Sequence, residues 1–263
     1  MTENGSRVAW IAIAPVKSLA LTHPDEVELG PLGVRENRRF YLVDEDGRLL
    51  NGKRLGRLAL TIADYDDTAR TLALRLPSGD VVAGEVAHSD TVTTQFFSRL
   101  RRDRLVEGPW SEALSQSLGR PVRLVEADES TAVDRGGDDA AATLLSTASL
   151  AELGRRAGAD EPVDPRRFRM LFGVDGLDPH EEDGWRGRDV RVGDALVRVR
   201  GNVGRCVVTT QNPATGVPDL DTLRVLADYR GELETTEPLP FGVYADVREP
   251  GRVRLGDPVG VER

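Results

Sequence analysis

Gly204-Arg205-Cys206-Val207-Val208-Thr209-Thr210-Gln211-Asn212-Pro213-Ala214-Thr215-Gly216 contains the only cysteine of a 263-residue chain. A Val-Val pair and two threonines lead into Asn-Pro-Ala-Thr-Gly, a turn signature. The pattern predicts a strand over residues 205–210 that delivers a thiol to a loop rim. A lone cysteine forms neither an internal disulfide nor a thiolate cage. On the residues alone three roles stay open: a small buried hydrophobe, a nucleophile, or one ligand to a metal that brings its other ligands with it. Arg205, next in the chain, is placed to favour a thiolate.

Strand and turn signals continue on both sides. Residues 190–192, 196–199, 241–247, 252–255 and 259–261 read as strands separated by glycine turns. Leu220, Leu223, Leu226 and Ala227 fall on one helical face before Gly231. Ser149 and Glu152 have capping-box spacing, with Gly158 as the stop of a short helix. The acidic stretch 128–139 reads as a linker or loop. Further upstream, residues 8–15, 39–44, 48–50, 58–65, 71–76, 81–86 and 122–126 read as strands, with turns at Asp46-Gly47 and at residues 77–80. Residues 109–118 read as a helix, with Pro109 in its first turn and Gly119 just past its end. The predicted fold is mainly β, with two barrel-like parts and a few helices packed outside.

Composition is that of an ordinary globular chain, 39% hydrophobic and 30% charged, and 27 glycines with 15 prolines favour many turns. A net charge of -9 argues against nonspecific binding to nucleic acid or anionic lipid. With one cysteine and no disulfide framework, a cytoplasmic location is the expectation. Residues 8–16 are apolar but far short of the ~20 a membrane-spanning helix needs. Lys17 and Lys53 are the only lysines beside 33 arginines.

His23, His88 and His180 share no ligand spacing, so a zinc site made by protein alone is not indicated. There is no Walker loop and no GxGxxG. A thiolate suits a soft or high-valent transition metal. If Cys206 is the one protein ligand, the metal arrives inside an organic cofactor. An anionic cofactor needs cations, and Lys17-Ser18, Arg38-Arg39, Lys53-Arg54 and Arg169 are candidates.

Several landmarks occur in order: Pro15-Val16-Lys17-Ser18, residues 38–44, residues 146–153, Arg167-Phe168-Arg169, residues 181–185, residues 205–216, and Phe241-Gly242-Val243-Tyr244 through Val259. In this order they resemble the MOSC family. The C-terminal part is similar to the MOSC β-barrel domain, expected over residues 109–263, and the part before it to the N-terminal MOSC β-barrel domain, expected over residues 1–108. Within the family the chain resembles the mitochondrial amidoxime-reducing component and its bacterial counterparts.

The resemblance implies that Cys206 ligates molybdenum held by molybdopterin and is the catalytic residue. It implies that Lys17, Ser18 and Arg38 hold the cofactor, with Arg39 if the register shifts by one. Arg169 and Asp138 (Asp139 after a one-residue shift) complete the implied set. Asn37 stands where the family has an aspartate before the arginine, and Met170-Leu171 where it has Pro-Asn. Trp185, Phe241 and Tyr244 are assigned to packing. The implied activity is reduction of a small N-hydroxylated substrate, N–OH to N–H, with oxygen transfer to molybdenum and electrons from a separate flavoprotein, ferredoxin or haem protein. The alternative is a molybdenum-cofactor or sulfur carrier that uses Cys206 without redox turnover. The cysteines of a fused iron–sulfur domain and the membrane anchor of the mitochondrial relatives are absent from the sequence. Substrate choice is expected to depend on the loops 128–139 and 179–187.

Overall fold

The computed structural model describes residues 5–96, 99–127 and 141–262. The first strands are β1 Arg7–Ile11, β2 Glu26–Gly30, β3 Gly33–Val34, β4 Phe40–Val43, β5 Leu49–Leu50 and β6 Ile62–Asp66. They are followed by β7 Thr71–Arg75, β8 Val81–Glu85, β9 Ala87–Phe96, β10 Arg99–Glu107, helix α1 Trp110–Leu118 and β11 Arg123–Glu126. Then come β12 Ala142–Ser146, α2 Thr147–Arg156, β13 Phe172–Asp175, β14 Asp189–Val192 and β15 Ala195–Gly204. The chain finishes with α3 Thr222–Arg230, β16 Pro240–Glu249, β17 Gly251–Arg254 and β18 Val259–Val261.

A seven-stranded sheet, β1-β13-β12-β16-β15-β14-β18, curls back on itself. An Arg7–Pro258 bridge, with Val8 N donating to Asp257 O at 2.9 Å and Val259 N to Ser6 O at 2.8 Å, returns its last strand to its first. Inward residues such as Ile11, Phe172, Val190, Val197 and Val243 are fully buried and fill this barrel. Burial of each such side chain contributes about 1.5–3 kcal/mol. Trp185 packs in the same core, the anchoring role read from the sequence.

The second unit joins the sheets β5-β4-β11-β10-β9 and β6-β7-β8 around Phe40, Leu42, Leu72, Leu74 and Trp110. Strand pairing crosses residue 108 in both directions. β1 pairs with β13 and β2 with β17, whereas β11 pairs with β4 and β10. The chain is thus mainly β, a barrel beside an N-terminal barrel-like unit, with three α-helices at the periphery among the described residues.

Several local expectations change. Residues 58–60 belong to a 3-10 turn, Gly56–Leu60, and β6 begins at Ile62. α2 is capped by Ser146, whose hydroxyl accepts from Ala148 N; Ser149 lies inside the helix and donates to Glu182 instead. α3 is capped by Asp221 and buries Thr222, Val225, Leu226 and Arg230, leaving Ala227 exposed. Residues 205–210 are not a strand: β15 stops at Gly204, and Val207–Thr210 is a 3-10 turn. The hydroxyls of Thr209 and Thr210 donate to the carbonyls of Cys206 and Val207, three residues back, which favours a turn over a strand.

Candidate functional site

At the seam between the two units lies a cavity of about 660 Å³, the size of a small-molecule or cofactor site. Lys17, Ser18, Arg38, Lys53, Arg169 and Cys206 all line it, though they come from five separate segments of the chain. The seam is tight. Val16 bridges Phe40 in parallel, Arg38 N donates to Ala14 O at 2.8 Å, and Gln211 Nε2 donates to Gly52 O at 2.9 Å. Gly56 and Gly216 touch backbone to backbone, leaving no room for a Cβ on either.

Cys206 sits just past the end of β15, half-buried, with extended backbone at φ -134° and ψ 175°. Its carbonyl accepts from Thr209 N and from Thr209 Oγ1, both at 3.0 Å, which fixes the peptide that carries the thiol.

Three lining residues, Ser18 (φ 73°), Arg38 (φ 56°) and Arg169 (φ 54°), adopt the left-handed backbone region. For residues with a Cβ this costs about 1–2 kcal/mol each. Their surroundings hold them there. Lys17 N donates to Phe40 O at 2.7 Å, and Ala14 N donates to Asn37 Oδ1 at 3.0 Å. Arg38 Nη2 donates to Arg169 O at 3.0 Å, and Arg169 Nη2 to Leu19 O at 2.8 Å, so the three segments are stitched to one another. Strain of this kind collects where a binding constellation is held in advance of its ligand. Asn37 fixes the backbone here, and its Oδ1 also accepts from Arg38 Nη1 at 3.1 Å.

Arg205 works as a clamp. Its guanidinium donates to Phe168 O at 3.0 Å, to Phe241 O at 2.9 Å through Nε, and to the Met170 sulfur at 2.9 Å. It also stacks over the Phe168 and Phe241 rings. Met170 therefore has a partner of its own in this chain, and Leu171 is buried in the barrel core. Phe241 is fully buried, as the packing assignment expected, and Tyr244 packs half-buried against the same cluster.

One predicted residue falls elsewhere. Arg39 turns away from the cavity: its Nε and Nη2 reach Glu126 Oε1 at 2.8 and 2.7 Å. Arg70 and His88 close on the same carboxylate. Burial works against this carboxylate, but hydrogen bonds from Arg70 and His88 and the charge of Arg39 outweigh it and hold Glu126 below the usual carboxylate range. Asp138, Asp139 and the stretch 128–139 lie outside the described residues.

The loop 179–187 contributes no residue to the cavity lining. Glu182 within it is fully buried, accepting from Ser146 N at 3.2 Å and Ser149 Oγ at 3.2 Å, and burial pushes its carboxyl up to about 7. His180 packs between Tyr229 and Phe241, and burial lowers it to about 4. These groups brace α2 against the barrel. Sequence reasoning missed Phe96, from the tip of the β9–β10 hairpin, which lies under Lys17 Nζ at 5.7 Å. It also missed Glu237 and Pro238, which complete the wall beside β15. Glu237 and Pro238 lie in an irregular stretch with no periodic signal, and Phe96 ends a strand that is mostly polar.

Comparison with known proteins agrees with the geometry. Residues 132–260 match the MOSC domain and residues 5–121 the MOSC N-terminal beta barrel domain. The chain is 28% identical to mitochondrial amidoxime-reducing component 1 of Xenopus laevis, over 96% of this chain and 81% of that protein. It is equally identical, 28%, to the Homo sapiens component 1, over 96% and 82%. The molybdenum cofactor sulfurase of Danio rerio is 27% identical over 88% of this chain, which spans 31% of that longer protein. No helix among the described residues is long and apolar enough to cross a membrane.

Proposed function

Because the chain belongs to the MOSC family and carries that family's N-terminal β-barrel domain, we propose that its cavity holds a molybdenum–molybdopterin cofactor and reduces small N-hydroxylated compounds. The observation that carries this reading is the convergence of Lys17, Ser18, Arg38, Arg169 and Cys206 on one cavity. The donor set fits the group. It offers one soft thiol, one hydroxyl and three cations, which suits an anionic organic cofactor bearing its own metal. Among the described residues no three His, Cys, Asp or Glu side chains gather to hold a bare metal ion.

In this reading Cys206 Sγ is the protein ligand to molybdenum, and the bonds at its carbonyl aim it. Lys17, Ser18, Arg38 and Arg169 hold the phosphate side by charge-assisted hydrogen bonds. The left-handed positions of Ser18, Arg38 and Arg169, and the bonds that tie Arg38 to Arg169 and Arg169 to Leu19, fix this wall before the cofactor enters, so little ordering is left for binding to drive. The cofactor, when bound, supplies the two-electron chemistry that turns N–OH, with two protons, into N–H and water. The electrons come from a separate flavoprotein, ferredoxin or haem protein.

Molybdenum and pterin are to be quantified on wild type and on Cys206→Ala from a host that makes the cofactor, with turnover of an N-hydroxylated substrate under a chemical reductant. The reading expects near-equimolar metal in wild type, loss in the variant, and reductive turnover. Equal molybdenum in both sinks the ligand assignment. A loaded protein without turnover is instead a cofactor or sulfur carrier.

A further inference from the structure

We infer that Thr222, the first residue of α3, is a positioning residue for the Cys206 thiol and acts through Thr209; the inference rests on Cys206 being the ligand proposed above. Cys206 and Thr209 line the cavity, whereas Thr222 stands behind that lining and is fully buried.

The direction of the relay follows from its protons. Cys206 O accepts from Thr209 N and from Thr209 Oγ1, both at 3.0 Å. A threonine hydroxyl carries one proton, and Thr209 gives its own to this carbonyl. The hydroxyls of Thr209 and Thr222 lie 2.7 Å apart, a distance that needs a proton between the oxygens. That proton is Thr222's, so Thr222 donates to Thr209 and Thr209 donates to Cys206. If Thr209 turned its proton toward Thr222, the bond from its hydroxyl to Cys206 O would be lost. A carbonyl oxygen has two lone pairs, and both donors here belong to Thr209, so the peptide after Cys206 rotates only by breaking them. Within a buried chain of hydrogen bonds each bond strengthens the next.

The start of α3 suits this duty. Asp221 caps the helix, its side chain accepting from Arg224 N at 3.1 Å, and the Thr222 hydroxyl points at the turn instead. The far end of the same turn is tied to the segment that enters α3. Thr210 O accepts from Asp219 N at 3.1 Å and from Arg167 Nη1 at 3.2 Å, and Arg167 pairs with Asp219 at 2.6 Å. The helix thus holds the turn at both ends, at Thr209 by a hydroxyl and at Thr210 by the chain leading into it.

Cys206 is the chain's one thiol, so alkylation by iodoacetamide reads it without ambiguity. The test follows that rate by intact mass on the folded full chain, free of cofactor, at pH 8. Thr222→Val, close in shape but lacking the hydroxyl, takes the donor from Thr209 Oγ1 and loosens the bond to Cys206 O. Alkylation is expected to run about fivefold faster than in wild type. Thr222→Ser restores the wild-type rate. Thr209→Val speeds alkylation at least as much, and adding Thr222→Val to it changes the rate no further. In the molybdenum-loaded chain the thiolate-to-metal absorption band shifts in Thr222→Val and returns in Thr222→Ser. A wild-type rate in Thr222→Val, or an undiminished effect of that substitution on top of Thr209→Val, overturns the inference. Thr222→Ala carries the same expectations where the valine variant does not fold. The two readings fail separately. A Thr222-dependent rate in a chain that retains no molybdenum sinks the proposed function alone; a loaded chain whose thiol ignores Thr222 sinks this inference alone.

Discussion

The cavity wall and the ion cluster around Glu126 each take one arginine from the same dipeptide, Arg38-Arg39, and use it in opposite ways. Arg39 meets a buried carboxylate shared with Arg70 and His88, so its charge is answered inside the protein. Arg38 donates instead to the Asn37 amide oxygen and the Arg169 carbonyl, in the wall of the cavity. Arg169, bonded to Leu19 O, follows the second pattern. One arginine of the pair is taken up by a buried carboxylate, whereas the other lies in the wall of the cavity. The left-handed backbone at Arg38 turns these neighbouring side chains to different sides.

The largest expected effect breaks the structural half of this contrast. Glu126→Ala leaves Arg39 buried without its carboxylate, and should cost about 3 kcal/mol in urea unfolding, the low end for a broken buried pair because Arg70 is partly exposed. Since Glu126 titrates below its unfolded value, its contribution is present above the ordinary carboxylate range and fades as pH falls through the lowered value. Wild type should therefore lose stability on acidification more steeply than the variant.

Glu182 sharpens the contrast as a carboxylate buried among neutral donors. Its value is about 7 folded and near 4.5 unfolded, so the folded state binds the extra proton and stability falls as pH rises between those values. Glu182→Gln should gain on the order of 3 kcal/mol over wild type at pH 8, and nearly nothing at pH 4.5, in denaturation followed across pH. His180, lowered to about 4, has the opposite slope between about 4 and 6.5. The variant's stability should therefore climb with pH where wild type stays flatter.

The smallest effect is the most specific. Arg38→Ala should lower molybdenum and pterin per folded molecule about tenfold while shifting the unfolding midpoint little. Arg39→Ala should do the reverse, lowering stability and leaving loading per folded molecule unchanged. Equal loading losses in the two would dissolve the distinction.

The sequence carried the parts of the fold that obey a period. Strands β4, β7, β8 and β14, with helix α1, lie within a residue of the bounds their strand, turn and cap signals predict. The long β9–β10 hairpin did not register, because the many polar and charged residues there outweigh the few apolar ones that face inward. The turn after Cys206 was hidden by residue type: two β-branched valines and two threonines read as strand, but the threonine hydroxyls bond back to carbonyls. At the cavity, the basic residues and the thiol were legible through ordered motifs. Glu237 was not, since its place in the wall depends on lying across Gly204, a contact between segments 33 residues apart.

The closure of the barrel has a consequence for how the chain is made. β1 pairs with β13, and β2 pairs with β17, Leu29 opposite Gly251. At ribosomal rates of roughly 5–20 residues per second, the first strands wait on the order of tens of seconds for those partners. Through that interval Val8, Ile11, Val27 and Leu29, all buried in the finished barrel, are displayed to other chains. The strands that later close the barrel thus need shelter from aggregation during synthesis.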